Sequence, residues 1–238
     1  EPPLGGPKYE HYQWESPTQP WFVMAFRGPA FIATEKDMSA LDLISEIYFS
    51  SSSDIYKNLV IENQFVDQLF GYFPNQKDPG MLIVAARLTD AEHAVAVRDA
   101  INETLMAART ELVDPAKVEE TKSRLRYSFT AGLGSSGNIG EMLAGFVHYE
   151  RTPEIINDVY RSYEALTSED VRTIANKYFV DDSRVTFTLS SDESMAGIDG
   201  KTSLDELVAA AGMAEAAPGA VAAEETVELP VPDVAPED

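Results

Sequence analysis

The segment Ala40–Gln64, ALDLISEIYFSSSSDIYKNLVIENQ, decides the fold because it joins two amphipathic helices through a run of serines. Before the serines, apolar residues recur at the spacing of one helix face, which predicts a helix over Asp37–Phe49. After the serines, Ile55 and Leu59 share the inner face of a second predicted helix, Ser53–Asn63. Serine hydroxyls at such a joint are typical helix caps.

Predicted strands lie on both sides of this helical pair. His11–Trp14 and Trp21–Arg27 precede it, and the second of these is rich in aromatic and apolar residues. Phe65–Phe73 and Met81–Leu88 follow it, joined by the turn-rich sequence PNQKDPG. Arg184–Leu189 alternates apolar and polar residues and is predicted to be the last strand.

A block of helices is predicted between the fourth and the last strand. Asp90 opens a long helix, and Asp114 opens the next one as an N-cap followed by proline. Asn138–Glu150 and Pro153–Leu166 are further helical segments, and Thr167 caps another. The order of elements indicates an α+β fold, in which an antiparallel-rich sheet has helices covering one face.

Composition excludes several function classes. The chain has 238 residues, 44% of them hydrophobic, and its formal net charge is −22. This charge repels nucleic-acid phosphates, and no apolar run approaches the ~18 residues of a membrane span. Cysteine is absent, which leaves the redox compartment open. The acidic composition slightly favours a periplasmic or secreted location, as in bacteria, over the cytoplasm.

The predicted domain covers residues 1–208, and residues 209–238 are predicted to be an acidic tail or linker rich in Ala, Pro and Glu. Lys201 is the last basic residue, and nine acidic residues follow it. Few large apolar groups offset the ordering entropy there, so the tail is predicted to be flexible. The other interpretation is that the proline-containing segment Val227–Val234, VELPVPDV, docks on a partner or leads to another domain.

The order of several segments over Glu1–Leu207 carries a family resemblance. They are EPPLGGP, VMAFRGPAF, ALDLISEIYF, SSSSDIYKNLVIENQ, LGSSGNIGEMLAGF and LTSEDVRTIANKYFVDDSRVTFTL. Together they resemble the non-catalytic second domain of a pitrilysin/insulinase-type zinc metallopeptidase half. These inverzincins include the mitochondrial processing peptidases. The resemblance implies a metalloprotease half-domain fold.

The catalytic signature of that family is H-x-x-E-H, two zinc ligands and a general base on one helix. The chain has three histidines, and the nearest match, Thr89–His93, has threonine in place of the first ligand. His11 and His148 are interpreted as packed or half-exposed side chains. The prediction is therefore that this chain has no catalytic residue and no metal ligand, and is inactive alone. The resemblance implies that an upstream domain supplies the zinc and the general base.

Some members of the family bind substrate with an arginine and a tyrosine seven positions apart. Aligned on LVIENQFVD, these positions hold Val60 and Asp67. Because the pair usually belongs to the half without zinc, its replacement implies that this domain follows a zinc-carrying domain in the same half. A degenerate, purely structural copy is the other interpretation. No substrate-binding residue is predicted.

Other motifs favour structural roles. Gly132–Gly137 matches G-x-G-x-x-G, but a helix precedes it where a dinucleotide site needs a strand, so a joint between helices is predicted. Ser50–Ser53 has no histidine base in a recognisable relation to it and is interpreted as a capping cluster. Asp181 lies in a predicted polar turn. Phe70, Tyr72 and Phe73 lie on a strand with one face in the core, and aromatic residues on its other face are candidates for peptide contact.

These observations predict a non-catalytic, chamber-forming domain of a zinc metalloendopeptidase. Its partners would be a homologous catalytic domain, a second peptidase half and peptide substrates. Two alternatives stay open, a proteolytically inactive assembly or scaffold subunit of the same fold and an acidic peptide-binding module.

Overall fold

A computed structural model describes residues 4–152 and 154–216 of the chain. Its strands are β1 (Lys8–Gln13), β2 (Trp21–Arg27), β3 (Val66–Tyr72), β4 (Met81–Leu88) and β5 (Val185–Ser190). Its α-helices are α1 (Asp37–Phe49), α2 (Asp54–Tyr56), α3 (Ala94–Thr110), α4 (Pro115–Gly132), α5 (Ser136–Glu150), α6 (Ile155–Glu164), α7 (Ser168–Tyr178) and α8 (Leu204–Ala216). A π-helix, Lys57–Glu62, continues α2, and short 3₁₀ turns lie at Ala91–His93 and Asp181–Ser183. None of the described helices is long and apolar enough to cross a membrane.

The five strands form one sheet in the order β1-β5-β2-β4-β3. The β1–β5 pair is parallel, and the β5–β2, β2–β4 and β4–β3 pairs are antiparallel. The predicted α+β class with an antiparallel-rich sheet is therefore confirmed. The strand order was not predicted, because nothing local in the sequence indicates that β5 returns between β1 and β2.

The core lies between the sheet and the helices. Phe22, Met24 and Phe26 alternate along β2 and are almost fully buried. Phe26 meets Phe179 edge to face, with ring centroids 5.1 Å apart. Leu41, at the middle of α1, is also fully buried. Each such side chain contributes about 1.5–3 kcal/mol by leaving water, so this layer fixes the helices on one face of the sheet.

The serine-rich joint has the capping role that the sequence predicts. Ser53 is the N-cap of α2, and its hydroxyl accepts a hydrogen bond from the Tyr56 amide. The predicted second helix departs from α geometry at Lys57–Glu62, where the π-helix ends next to Gln64 in the left-handed region, at φ 53°. This tight reversal directs the chain into β3.

The end of the described chain differs from the sequence prediction. Helix α8 extends over Leu204–Ala216, so the predicted domain boundary between residues 208 and 209 falls inside a helix. The side chain of Asp181 accepts hydrogen bonds from the amides of Leu204 and Asp205 and caps this helix. Residues 217–238, including the segment 227–234, lie outside the described residues, and the predicted tail there stays a prediction.

Candidate functional site

None of the helices within residues 4–152 and 154–216 packs on one face of the sheet, which we call the open face. Alternation along paired strands determines its members. The open face consists of Lys8, Glu10, Tyr12, Trp21, Val23, Ala25, Arg27, Gln68, Phe70, Tyr72, Met81, Ile83, Ala85, Arg87, Val185, Phe187 and Leu189. Phe70 is 41% exposed and Tyr72 is 55% exposed, and both had been candidates for peptide contact. Apolar side chains are thus in contact with solvent across a whole sheet face.

The open face has a depression at its middle, where its side chains are small. Val23 of β2 lies opposite Ala85 of β4, and Ala25, the next residue of β2 on the same face, lies opposite Ile83. Ala85 is 3% exposed although no helix covers this face, because larger neighbours such as Phe70 shield it. Small side chains flanked by rings form a trough, which can receive apolar side chains of another chain.

Four side chains form a polar and aromatic cluster at one end of the trough. The Arg87 guanidinium binds Asp67 through two hydrogen bonds, Nε to Oδ1 at 2.7 Å and Nη2 to Oδ2 at 2.9 Å. Gln19 Nε2 donates a third hydrogen bond to Asp67 Oδ2 at 3.1 Å. These hydrogen bonds, that of Arg87 foremost, lower the pKa of the Asp67 carboxyl. Arg87 also lies over the Trp21 ring, 5.9 Å from its centroid.

Val60 and Asp67, at the positions of the family's substrate-binding arginine and tyrosine, lie in different environments. Val60 lies in the π-helix and is partly buried against the core. Asp67 lies in β3 at a register irregularity between Val66 and Gln68, where its carboxylate reaches Arg87. Sequence reasoning placed no function at Arg87 or Trp21. The signal was available in the alternation of WFVMAFR and MLIVAARL, which puts both residues on the same face, but only the strand pairing places them opposite one another.

The histidines have structural partners. His93 Nδ1 and Thr89 Oγ1 are 3.1 Å apart, so the two ends of the imperfect H-x-x-E-H match are hydrogen-bonded to each other. His11 Nδ1 and Thr188 Oγ1 are 2.8 Å apart. His148 is exposed on α5. Within residues 4–152 and 154–216, no group of three or more His, Asp or Glu side chains could hold a metal ion.

The glycine-rich segment Gly132–Gly137 joins α4 to α5, which confirms the predicted helix–helix joint. The Ser135 hydroxyl accepts a hydrogen bond from the Asn138 amide and caps α5. Because a helix leads into the segment, its amides lack the strand-to-helix setting of a pyrophosphate site.

A second concave region lies between α1, the π-helix and α3. This cleft has a volume of about 680 Å³, and its charged lining residues are five carboxylates and one cation: Asp54, Glu62, Glu103, Glu111, Asp114 and Lys117. Burial, with Glu111 nearby, raises the pKa of Tyr48 in its wall to about 12. The cleft is acidic, unlike the trough on the open face.

The chain is similar to one protein family in sequence and to several solved structures in fold. The family described as the peptidase M16 inactive domain matches residues 1–125. A protease from Helicobacter pylori has a TM-score of 0.70 and 22% identity, over 79% of this chain and 45% of its own. A peptidase M16 inactive domain from Pseudomonas fluorescens has a TM-score of 0.67 and 16% identity, over 80% of this chain and 45% of its own. A chain of Complex III2 from Candida albicans has a TM-score of 0.68 and 15% identity, over 85% of this chain and 49% of its own.

No curated protein matches the chain. At these identities the three structures share its fold, and the chain spans less than half the length of each.

Proposed function

Because the chain belongs to the family of inactive M16 peptidase domains, we propose that it forms one wall of the peptide chamber of a zinc metalloendopeptidase. The family match confirms the resemblance to the non-catalytic domain of a pitrilysin/insulinase-type half. The single observation that carries the proposal is the open face, an apolar sheet surface with a trough. In this reading, the chain binds peptide, and a homologous domain cleaves it.

The open face has an apolar centre at Val23 and Ala85, and its charged side chains Lys8, Glu10, Arg27 and Arg87 lie at its margin. The apolar centre can receive side chains of an unfolded segment, and the charged margin keeps the surface hydrated.

In this proposal, the catalytic groups of the reaction lie in a partner domain. Zinc bound by H-x-x-E-H in a partner domain would activate water and polarise the scissile carbonyl. The contribution of this chain is to bind and orient the peptide and, by closing the chamber, to exclude folded proteins.

The proposal is tested by combining the 238-residue chain with a homologous domain that carries H-x-x-E-H. A fluorogenic unfolded peptide should be cleaved at least tenfold faster by the two together than by either alone. Val23→Lys places a charge in the trough and should abolish most of this gain. Ser128→Lys, which adds the same charge to an exposed position on α4, is the matched control and should keep it. Equal cleavage without the chain would contradict the proposal.

The assembly-subunit alternative has one supporting observation, the likeness of fold to a chain of Complex III2. It predicts a stable complex with the homologous domain and no gain in cleavage. The binding-module alternative is favoured by the acidic cleft and predicts salt-sensitive binding of basic peptides to the isolated chain.

A further inference from the structure

We propose that Trp21, Phe70 and Arg87 form a subsite on the open face that binds an aromatic side chain of an unfolded, uncharged peptide segment. This inference rests on the proposed function and specifies the substrate class that the chamber wall selects. It is carried by the geometry of the three side chains, by the donors left on Arg87 and by the local balance of charge.

The two rings are arranged to admit a third one. Trp21 and Phe70 have centroids 6.5 Å apart and an interplanar angle of 73°, an edge-to-face pair. Aromatic pairs are favourable at centroid distances of about 4.5–7 Å, and the edge-to-face arrangement leaves one ring face uncovered. Phe70 is 41% exposed, so part of its surface is available to another ring. An aromatic side chain entering the trough would contact both rings and the small residue Ala85.

Arg87 supplies the polar contact of the subsite. Asp67 engages Nε and Nη2, and the guanidinium lies 5.9 Å from the Trp21 centroid, so its position is held from two sides. The two hydrogen bonds to Asp67 use Nε and Nη2 and do not involve Nη1. A guanidinium carries five N–H donors in one plane, and those left over can bind a peptide carbonyl.

The charge of the open face indicates which peptides fit. At the subsite, the cation Arg87 is paired with the anion Asp67, so their charges cancel, although the whole chain has a net charge of −22. A basic side chain would find Asp67 already paired with Arg87, and an acidic one would be opposed by the field of the whole molecule. An uncharged aromatic segment meets neither penalty, and its carbonyl groups complement the guanidinium.

The test uses the two tryptophans of the chain, Trp14 and Trp21, as separate probes. Trp14→Phe leaves Trp21 as the only tryptophan, and Trp21→Phe leaves Trp14. Two short neutral peptides of equal length are titrated, identical except for a central Phe or Ala. The Phe peptide should change the emission of Trp21 saturably and bind at least about tenfold tighter than the Ala peptide. The emission of Trp14 should not change.

Substitutions at the subsite sharpen the test. Phe70→Ala and Arg87→Gln should each lower the affinity for the Phe peptide by about tenfold. Tyr127→Ala, at a 75% exposed aromatic residue on α4, should leave that affinity unchanged. Asp67 positions Arg87, so Asp67→Ala should lower the Phe-to-Ala affinity ratio, a quantity that a general loss of stability does not change. An unchanged Trp21 signal, or equal binding of both peptides, would overturn the subsite.

The two proposals fail differently. A chain that increases cleavage with its partner domain but shows no response of Trp21 would overturn the subsite and leave the proposed function standing. A response of Trp21 without any gain in cleavage would support the subsite and contradict the peptidase role.

Discussion

Asp42 is a carboxylate held in an unfavourable position at the contact between α1 and α6. Its side chain accepts a hydrogen bond from the Tyr163 hydroxyl, and Glu46 lies one turn further along α1. Burial raises the pKa of Asp42 to about 6, and Glu46 adds to this, although the hydrogen bond opposes it. Arg124 forms an ion pair with Glu46 at 2.9 Å, so the cation in this region is engaged elsewhere. Asp42 therefore binds a proton more tightly in the folded state than in the unfolded one.

Asp42→Asn should remove a pH-dependent loss of stability. Because the folded pKa is raised above the ordinary value of 3.8, the neutral form stabilises the fold below about pH 4, and this contribution is lost as the pH rises to 6. The difference in free energy of unfolding between the variant and the parent should therefore grow by roughly 1–3 kcal/mol, in favour of the variant, from pH 4 to pH 8. Urea unfolding at both pH values measures it. A difference independent of pH would show that Asp42 ionises normally.

Asp181 is the residue whose removal should cost most among the charged side chains of the fold. Its carboxylate lies 2.9 Å from Arg184, whose side chain is 2% exposed, and it also accepts a hydrogen bond from the Ser203 hydroxyl. Asp181→Asn removes the anion paired with a buried guanidinium, leaving only Asp205 to offset its charge, and should destabilise the fold by about 3–5 kcal/mol. Asp182→Asn, at an exposed neighbour, is the control and should change the free energy of unfolding little. Equal effects would refute the assignment.

At the scale of elements, hydrophobic periodicity and capping residues in the sequence predicted those helices and strands whose limits depend on nearby residues. The sequences of β2, α1 and β4 predicted their limits as found, and Asp114 and Thr167 cap α4 and α7 through their own side chains. Helix α8 was missed because its alanine-rich sequence resembles a linker, although the Ser203 hydroxyl caps it by accepting a hydrogen bond from the Glu206 amide. Asp181, which comes from a distant turn, adds a second cap. The candidate site was missed for a related reason, since Trp21 and Arg87 meet only through strand pairing.

Truncation tests whether α8 belongs to the domain. Leu204 is fully buried, and Asp205 forms an ion pair with Arg109 at 2.6 Å, so a chain ending at Ser203 loses both contacts. A loss of about 3 kcal/mol corresponds to a decrease of roughly 6–12 °C in Tm for a domain of this size. A chain ending at Ala216 keeps the helix and should retain its Tm. A third chain, ending at Val208, should fall between them, whereas a fully stable Val208 chain would support the predicted boundary.

At the scale of the whole molecule, charge repulsion opposes folding. The 40 acidic residues exceed the 18 basic ones, and compaction brings like charges together. Raising NaCl from about 0.01 M to about 1 M shortens the Debye length from about 30 Å to about 3 Å. Screening should therefore raise the urea midpoint, despite the weakening of exposed ion pairs such as Lys57–Glu62. A lower midpoint in salt would mean that attractive pairs outweigh the repulsion.

The position of β5 between β1 and β2 delays completion of the sheet during synthesis. His11 of β1 and Thr188 of β5 are 177 residues apart, so β1 has no neighbour in the sheet until β5 has left the ribosome. At about 5–20 residues per second, that interval is roughly 10–35 s. Until then β2 has an unpaired edge, where β5 must insert. Nascent chains of this protein can therefore aggregate through the edge of β2 during that interval. A chaperone that covers this edge would lower the risk of aggregation.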